Sequence, residues 1–534
     1  MKSLFLWLFL AIVASGKEIV NWKNRWHLPG RDASQPPQMG NSTFKQLIDH
    51  DNPSLGTFDQ FYYYSTEFWK GPGSPVILFT PGEVNATGYQ SYLSINRTTG
   101  VTAQKIGAAV ICLEHRYWGT STPFTEYTTA NMSYLTLANS ISDLTYFASN
   151  VSFPFLDESI KSNAKDVPWL LMGGSYSGNL AAWTESVQPG TFWAYHASSA
   201  PVESVSDYYG YFLPVQLGMP SNCSKDVSLV IDYIDGVFAN GSAQEVAELK
   251  AKFKLQNLQN SDVGAALENG PWLWQSNQFY TNYSGFFQWC DYVENAITTT
   301  ANGTTAVSTN FTAGPEGVGL EKALAGYALW WNTVELPGYC EGYGYFNGTY
   351  NTDCLDTFNP SNPLYTDTSL SNEADRQWVW MTCNEPFGYW QDGAPTSRPS
   401  IVSRTVTADY WIRQCGLYFP TGPNGETYGI AKGVTEDDVN AYTGGWDLAS
   451  NATRLVFANG GYDPWRSAGI SSDLRPGGPV ASTPQAPVNI VPGGFHTSDL
   501  VTRNGQVNAS VQAVIDNIVN QLAEWVAEWP GSTS

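Results

Sequence analysis

One serine of this chain stands in a pattern that can make its hydroxyl a nucleophile. Ser175 follows the apolar run Trp169–Met172 and has small neighbours in a Gly-x-Ser-x-small arrangement, with Gly173 before it and Ser177 after it. Small residues are needed there because bulky side chains on a sharp strand-to-helix turn would collide with both elements. The pattern usually ends in glycine, and Ser177 takes that place here. It predicts attack by Ser175 on a carbonyl carbon, and the alternative is an ordinary Gly/Ser-rich turn.

A serine hydroxyl needs a base beside it, and the chain has five histidines. In sites built on this turn the nucleophile precedes the acid and then the base, which excludes His27, His50 and His115. His196 falls within a strand candidate, where packing in the core explains it. His496 follows another strand candidate through a Pro-Gly-Gly turn, so it is the predicted general base.

The partner of that base should be a carboxylate on the loop after the preceding strand. Asp463 meets this condition, because it follows the apolar run Arg454–Ala458. A carboxylate there would accept the imidazole N–H, fix its tautomer and stabilise the imidazolium. Asp437, Asp438 and Asp447 precede the strand and would break the order. The alternative for Asp463 is a simple Asp-Pro turn.

An oxyanion formed at the attacked carbonyl needs two backbone donors. The N–H of Tyr176, directly after the nucleophile, is the first candidate. The second is the loop after the run Val76–Phe79, where Gly82 would let the backbone approach a substrate. A plain strand-end turn explains Gly82 equally well.

Alternating strand-like and helix-like segments would position these side chains. Short continuous apolar runs are typical of buried parallel strands. A sheet of parallel strands is covered by helices on both faces. The predicted helices are Tyr134–Ala148 and a C-terminal helix that runs from Val511 to Trp529 and ends at Pro530. The predicted strands are Val76–Phe79, Ala108–Leu113, Trp169–Met172, Trp193–Ser198, Arg454–Ala458 and Val488–Val491.

The middle of the chain differs in character. Between residues 206 and 425 strand-like runs become rare, and helical pieces such as Ala243–Leu258 alternate with Gly- and Thr-rich loops. We interpret 206–425 as a helical cap inserted into an α/β domain. That domain would comprise 17–205 and 426–534.

The composition of the chain limits the kinds of partner, metal and cofactor that it can bind. A formal charge of −22 repels polyanions and argues against a nucleic-acid partner. An acidic surface is also common in enzymes that work at low pH, although solubility alone explains it. The seven cysteines form no Cys-x-x-Cys pair, so we predict no metal site, and the chemistry above needs no cofactor. Oligomeric state is left open.

Targeting signals point to export. Met1–Gly16 has a basic start, a short apolar centre and small residues at its end, which is typical of a signal peptide cut after Gly16. Its apolar run is too short to span a bilayer, and no other stretch qualifies. We predict a soluble protein that is secreted or delivered to a vacuole or lysosome. Thirteen glycosylation sequons support export: Asn41, Asn85, Asn96, Asn131, Asn150, Asn222, Asn240, Asn282, Asn302, Asn310, Asn347, Asn451 and Asn508.

Six of the cysteines can pair in an oxidising compartment. Cys112 stands in an apolar strand-like run and is the predicted free thiol. Of the fifteen possible pairings of the others, we adopt one as the prediction. Its bonds are Cys223–Cys290, Cys340–Cys354 and Cys383–Cys415.

Assembled in order, several short motifs resemble the serine peptidase family of lysosomal Pro-Xaa carboxypeptidase and dipeptidyl peptidase II. The fungal acid prolyl endopeptidases are the most similar branch. The resemblance covers both ends of the chain and part of its middle, and covers the insertion poorly. The motifs are Pro81-Gly82-Glu83, Glu114-His115-Arg116-Tyr117-Trp118-Gly119, Gly173-Gly174-Ser175-Tyr176, Trp380-Met381-Thr382-Cys383-Asn384-Glu385, Asp463-Pro464-Trp465 and Gly494-Phe495-His496.

The resemblance implies an α/β-hydrolase fold, a triad of Ser175, Asp463 and His496, and cleavage of peptides after proline, with endopeptidase action favoured. It also implies that Trp465 helps to form the wall on which the proline ring stacks, although ordinary core packing explains Trp465 too. Glu385 would either bind a substrate amine or hold the cap. The alternatives are an exo-acting relative, an esterase or lipase of the same fold, and a non-catalytic binding protein, against which the intact triad argues.

Overall fold

A mostly parallel eight-stranded sheet forms the centre of the computed structural model, which describes residues 38–157, 159–299, 305–307, 313–372 and 375–531. The sheet has the order β1-β2-β4-β3-β5-β6-β11-β12, and only the β1/β2 and β2/β4 pairs are antiparallel. The predicted signal peptide, Asn302 and Asn310 lie outside the described residues. The strands of this sheet are β1 (Met39–Leu47), β2 (Thr57–Ser65), β3 (Val76–Phe79), β4 (Ala109–Leu113), β5 (Trp169–Gly174), β6 (Ala194–Ser198), β11 (Leu455–Gly460) and β12 (Val488–Val491).

All six predicted strands are confirmed within two residues at each end, and every one of them lies in the parallel part of the sheet. The antiparallel hairpin β1–β2 was not predicted. In β2 exposed and buried residues alternate along its first half, so the strand has no continuous apolar run. An edge strand with one wetter face has this pattern, which a search for fully buried strands does not detect.

Helices cover both faces of the sheet. The predicted helices are confirmed as α3 and α18, and α18 packs with α1 on one face through apolar residues such as Val511, Ile515 and Leu522. The α/β-hydrolase fold predicted from the sequence is therefore the fold observed. Among the described residues no helix is both long and apolar enough to cross a membrane. The helices that precede β6 or follow β12 are α1 (Thr98–Ile106), α2 (Thr129–Met132), α3 (Leu137–Asn150), α4 (Tyr176–Val187), α17 (Thr502–Val507) and α18 (Ala509–Ala527).

The chain between β6 and β11 is mainly helical, as predicted for the insertion. It adds two small sheets, a parallel pair of β7 (Val205–Asp207) with β10 (Gly388–Trp390) and a hairpin of β8 (Ile297–Thr299) with β9 (Thr305–Val307). Its boundaries at 206 and 425 stay a prediction. The last helix before β11, α16 (Glu436–Thr443), lies beyond residue 425. The helices within the predicted insertion are α5 (Phe212–Gly218), α6 (Ser221–Asn240), α7 (Ala243–Lys252), α8 (Asn260–Leu267), α9 (Asn269–Trp272), α10 (Gly285–Val293), α11 (Leu320–Trp330), α12 (Pro363–Thr366), α13 (Arg376–Asn384), α14 (Ala408–Ile412) and α15 (Cys415–Tyr418).

Three disulfides cross-link this insertion. They join Cys223 to Cys290, Cys340 to Cys354 and Cys383 to Cys415, which confirms the predicted pairing. Cys112 is the buried free cysteine on β4, also as predicted. Cross-links of this kind stabilise a folded region by restricting its unfolded chain.

Candidate active site

Ser175 lies on a strained turn between β5 and α4. Its φ of 60° and ψ of −135° are unusual for a residue with a side chain, and strain of this kind concentrates at functional sites. A Cβ on Gly173 would lie 2.0 Å from the carbonyl oxygen of Ser177. The Ser175 N–H donates to the carbonyl of Ser198 on β6 at 2.9 Å. The small neighbours are therefore required by the turn, as the sequence suggested.

Asp463 and His496 form a buried pair. Asp463 Oδ1 lies 2.9 Å from His496 Nδ1 and also accepts the backbone N–H of Trp465 at 3.0 Å. Neither side chain is more than 1% exposed. The carboxylate is thus held by the turn that follows β11, and it can orient the imidazole with Nδ1 protonated and Nε2 free to accept a proton.

The parallel strands bring the three residues to one edge. Ser175 follows β5, Asp463 follows β11 and His496 follows β12, and all three strands point the same way. The loop after His496 lies against the nucleophile turn, because Thr497 N–H donates to Ser199 Oγ at 2.8 Å and a Cβ on Gly174 would lie 3.1 Å from Thr497 Cγ2.

One hydrogen-bond donor atom and one acceptor atom at this edge of the sheet are unpaired in the described part of the chain. Ser175 Oγ and His496 Nε2 are both buried, and neither has a hydrogen-bond partner within the described part of the chain. A hydroxyl donor and an imidazole acceptor at the same edge are suited to proton transfer.

Comparison with known protein families identifies the class to which the chain belongs. The family described as Serine carboxypeptidase S28 matches residues 46–513, which is most of the chain. The chain belongs to the serine carboxypeptidase S28 family. It is a serine peptidase.

Three S28 relatives show how far the similarity extends. The peptidase is 42% identical over 476 residues to Serine protease vicPa of Bipolaris victoriae (strain FI3), which covers 89% of this chain and 86% of the relative. Serine protease vicPb of the same fungus is 40% identical with the same coverage. "Probable extracellular serine carboxypeptidase" of Arthroderma benhamiae is 29% identical over 424 residues, covering 77% of this chain and 56% of the relative.

The predicted oxyanion donors lie beside Ser175, the predicted nucleophile. Tyr176 is the first residue of α4, where backbone N–H groups have no acceptor within the helix. Gly82 has a φ of +79°, and a Cβ there would lie 2.7 Å from Ser177 Oγ and 3.6 Å from Tyr176 Cδ1. Only glycine fits so closely, although the Gly82 N–H itself donates to Thr80 Oγ1 at 3.3 Å. The donor roles of Tyr176 and Gly82 remain predictions.

Trp465 lies next to the pair of Asp463 and His496 but is completely buried. Its ring centroid is 6.5 Å from that of His496, and Tyr208 stacks on it at 5.5 Å. The rings of Tyr211 and Tyr389 approach its edges at 5.3 and 5.4 Å. The structure therefore places a rigid aromatic cluster beside His496, and contact between Trp465 and a substrate remains a prediction.

Glu385 links the insertion to the sheet-bearing part of the chain. Its Oε1 accepts the N–H of Leu137, in the first turn of α3, at 3.1 Å, and the amide of Asn384 at 3.2 Å. Burial raises the pKa of Glu385, while these donors oppose that effect. Of the two roles considered for Glu385, these contacts favour holding the cap.

His196 and two charged residues of the quoted motifs have structural contacts. His196 is completely buried on β6, 3.1 Å from the carboxylate of Asp499. The Glu114 carboxylate accepts backbone N–H groups, including that of Ala86 at 2.9 Å. Arg116 forms two hydrogen bonds to the Asp143 carboxylate. The burial of His196 agrees with the core position inferred for it from the sequence.

Several buried carboxyl groups hold protons more tightly than usual. Burial raises the pKa of Asp375 and of Asp392 to about 7. Burial also raises the pKa of Glu83 well above its ordinary value, with Asp375 adding to the effect, and does the same for Glu268, with Asp392 adding. All four are favoured in their neutral form at acid pH.

We predict that the peptidase is more stable at pH 4.5 than at pH 8. A carboxyl group with a raised pKa in the folded state stabilises the fold fully below its unfolded pKa near 4 and loses that contribution as pH rises through 7. For Asp392 the contribution lost between pH 4.5 and pH 8 is about 3 kcal/mol, because its folded pKa is about 7 and a tenfold change in proton affinity is about 1.4 kcal/mol. The lowered pKa of Asp143, bonded to Arg116, acts in the opposite direction but only below pH 4.

Scanning calorimetry at pH 4.5, 6 and 8 measures this effect. We expect the Tm to fall by about 5 °C or more across the range, since a chain of this size loses about 1 °C per 1 kcal/mol. Asp392→Asn should flatten the profile, and the exposed Asp437→Asn is the control. A Tm that rises towards pH 8 would show that these carboxyl groups are ionised in the folded chain.

Proposed function

We propose that this peptidase is a secreted, acid-active endopeptidase that cleaves peptides on the carboxyl side of proline. The observation that carries the catalytic part of the proposal is the 2.9 Å pair of Asp463 and His496 at the sheet edge where the strained Ser175 turn lies.

The chemistry follows from these groups. Ser175 Oγ attacks the prolyl carbonyl carbon while His496 Nε2 takes the hydroxyl proton, and Asp463 stabilises the imidazolium. The oxyanion is held by the N–H of Tyr176 and by the loop at Gly82. The C–N bond then breaks, the amine leaves with the proton from His496, and an ester to Ser175 remains. Water, deprotonated by His496, hydrolyses that ester and restores the serine.

The preference for proline rests on the family resemblance of the Asp-Pro-Trp motif, because Trp465 is completely buried here and would have to be uncovered to contact a proline ring. A proline ring is rigid and apolar and has no N–H to satisfy, so a flat aromatic wall suits it. The tyrosines packed around Trp465 fix the position of its indole beside His496. The family resemblance of the Asp-Pro-Trp motif points to the same role.

Endopeptidase action is favoured over release of dipeptides by one observation. A dipeptidyl peptidase needs an acid that binds the free substrate amine, and the Glu385 carboxylate proposed for that task already accepts two hydrogen bonds. The carboxypeptidase alternative is supported by the name of the Arthroderma benhamiae relative. The experiment below separates the three modes.

Secretion is supported by three features. The insertion contains three disulfides, which persist in oxidising compartments. One relative is named as extracellular. Of the eleven sequon asparagines in the described residues, eight are exposed: Asn41, Asn85, Asn96, Asn150, Asn240, Asn282, Asn347 and Asn451. Acid activity is supported by the buried carboxyl groups that stay neutral at low pH.

Peptides with one central proline test the substrate and the mode together. Four versions are digested at pH 4 and pH 7: free, N-acetylated, C-amidated and blocked at both ends. A fifth peptide carries alanine in place of proline, and mass spectrometry maps each cut. We expect cleavage after proline in all four versions, faster at pH 4, and at least about tenfold slower cleavage of the alanine peptide, a difference of about 1.4 kcal/mol.

Other outcomes would revise separate parts of the proposal. Cleavage that requires a free amino terminus would indicate a dipeptidyl peptidase, and cleavage that requires a free carboxyl terminus would indicate a carboxypeptidase. Equal cleavage after alanine would overturn the proline preference. Ester turnover without cleavage of any peptide would favour the esterase alternative.

A further inference from the structure

A short segment of the insertion contacts the loops of both the acid and the base. We call Trp274–Phe279 the clasp segment; it begins in a 3-10 helix, Leu273–Ser276. On the acid side, Trp274 Nε1 donates to the carbonyl of Tyr462 at 2.8 Å. Gln275 Oε1 accepts Trp465 Nε1 at 2.9 Å. These bonds reach the residue before Asp463 and the second residue after it.

On the base side, the clasp segment contacts His496 itself. Gln278 Nε2 donates to the backbone carbonyl of His496 at 3.0 Å. Gln278 Oε1 accepts the side-chain amide of Asn504 at 2.5 Å, and the N–H of Phe279 donates to Asn504 Oδ1 at 3.0 Å. Asn504 is completely buried and also donates to the carbonyl of Ser498 at 2.9 Å. Both sides of the base loop are therefore tied to the insertion.

Aromatic contacts reinforce the same links. The ring of Phe495, directly before His496, lies 5.3 Å from Trp274 and 5.4 Å from Phe279. The clasp segment is itself fixed within the insertion, since Trp274 packs 4.9 Å from Phe286 on α10. The helix α10 carries Cys290, whose disulfide joins it to α6. The segment is thus anchored by a cross-linked part of the insertion.

We propose that Gln278 and Gln275 are positioning residues. They fix the relative position of the two loops that carry His496 and Asp463. The two catalytic side chains lie on loops that follow different strands, and their pairing depends on the relative position of those loops. Neither glutamine reaches the reacting atoms; each acts through a neighbour of a catalytic residue. This inference rests on the proposed function, because it assumes that Asp463 and His496 carry out the catalysis.

The expected consequence is kinetic. A displacement of about 1 Å in a catalytic group can lower the rate about 100-fold. Gln278→Met removes the donor to His496 and the acceptor for Asn504 while keeping a side chain of similar length. We expect kcat to fall about 10- to 100-fold with KM within about threefold of wild type, because the hydrogen bonds that are lost act on the base loop. The rate of labelling of the serine by a fluorophosphonate should fall by the same factor.

Gln278→Glu separates positioning from folding. At pH 4 the protonated carboxyl group of this variant can donate to the His496 carbonyl and accept from Asn504, as the native amide does. At pH 7 the ionised carboxylate has no donor and repels the carbonyl. We expect activity close to wild type at pH 4 and a drop of at least about tenfold relative to wild type at pH 7. A purely structural contact would not produce this pH-dependent rescue of kcat.

Gln377→Met is the matched control. Gln377 lies on α13 of the insertion, and its Nε2 also donates across to the sheet-bearing part, to the carbonyl of Tyr117 at 3.2 Å and to Tyr127 Oη at 2.9 Å. These bonds contact neither catalytic loop. We expect a similar change in Tm for both methionine variants and a kcat within about threefold of wild type for Gln377→Met.

The results separate failure of the inference from failure of the proposed function. If Ser175→Ala abolishes hydrolysis and both Gln278 variants keep wild-type kcat at pH 4 and pH 7, the positioning role is wrong while the triad stands. Equal losses in Gln278→Met and Gln377→Met would also overturn it, because the effect would then be general to the cap. If Ser175→Ala leaves hydrolysis intact, the proposed function itself fails.

Discussion

Ser175→Ala is expected to lower kcat by about 10⁵-fold or more, because the remaining groups of a serine peptidase site act as a unit and cannot compensate for the missing nucleophile. The fold should not change measurably. Alanine has the same Cβ as serine, the backbone turn is fixed by its small neighbours, and Ser175 Oγ has no partner in the described part of the chain. Steady-state kinetics on a proline peptide, with Tm as the check of folding, measures the effect.

Ser177→Ala is the control for this experiment. Ser177 belongs to the same turn, is equally buried, and its hydroxyl lies against Gly82 rather than at the sheet edge with His496. We expect it to reduce kcat less than about tenfold. If Ser175→Ala kept more than a few per cent of wild-type activity, Ser175 would not be the nucleophile.

Asp463→Asn should lower kcat by about 10³- to 10⁴-fold with little change in KM, as loss of the acid does in other serine triads. Asp463 Oδ1 accepts from both His496 Nδ1 and the N–H of Trp465. If the amide keeps its oxygen in that place, the negative charge that stabilises the imidazolium is lost. If the amide turns, its NH₂ faces Nδ1 and selects the wrong tautomer. Both arrangements disable His496.

The chain offers a matched Asp–His pair for comparison. Asp499 lies 3.1 Å from His196 and accepts the hydroxyl of Ser198 at 2.6 Å, and it is as buried as Asp463. Asp499→Asn should lower Tm because it disturbs a buried polar contact, with a loss of kcat smaller than about tenfold. Equal losses of kcat in the two variants would mean that the order of sequence motifs misidentified the acid.

The parallel strands and the three candidate catalytic residues could be predicted because their signals are local. A short apolar run that ends in a tight turn marks both a buried strand and the place where its loop presents a side chain. Ser175, Asp463 and His496 each follow such a run. The order along the chain then left one acid and one base, and the structure brings Asp463 and His496 into contact.

The clasp segment could not be predicted in this way. Gln275 and Gln278 carry no charge and belong to no motif, and their partners lie 190 and 218 residues away in sequence. Trp465 illustrates the same limit. Its proximity to His496 follows from the Asp-Pro-Trp motif. Its complete burial depends on Tyr208, Tyr211 and Tyr389, which come from distant parts of the insertion.

The buried carboxyl groups also depend on tertiary structure. Glu83 was noted in the sequence only as part of a strand-end motif, and Asp375 was not singled out. Burial in the folded chain raises the pKa of both groups, and the nearby Asp375 adds to the effect on Glu83. A net charge of −22 only suggested work at low pH, whereas these groups give a physical reason for stability there.

Covalent labelling tests the central claim most directly. The wild-type enzyme is treated with a fluorophosphonate, digested, and the modified residue is located by mass spectrometry. A single adduct on Ser175, formed in step with loss of peptidase activity and at least about 100-fold more slowly in Asp463→Asn, is the predicted result. An adduct on a different residue, or full peptidase activity after Ser175 is completely modified, would contradict the account.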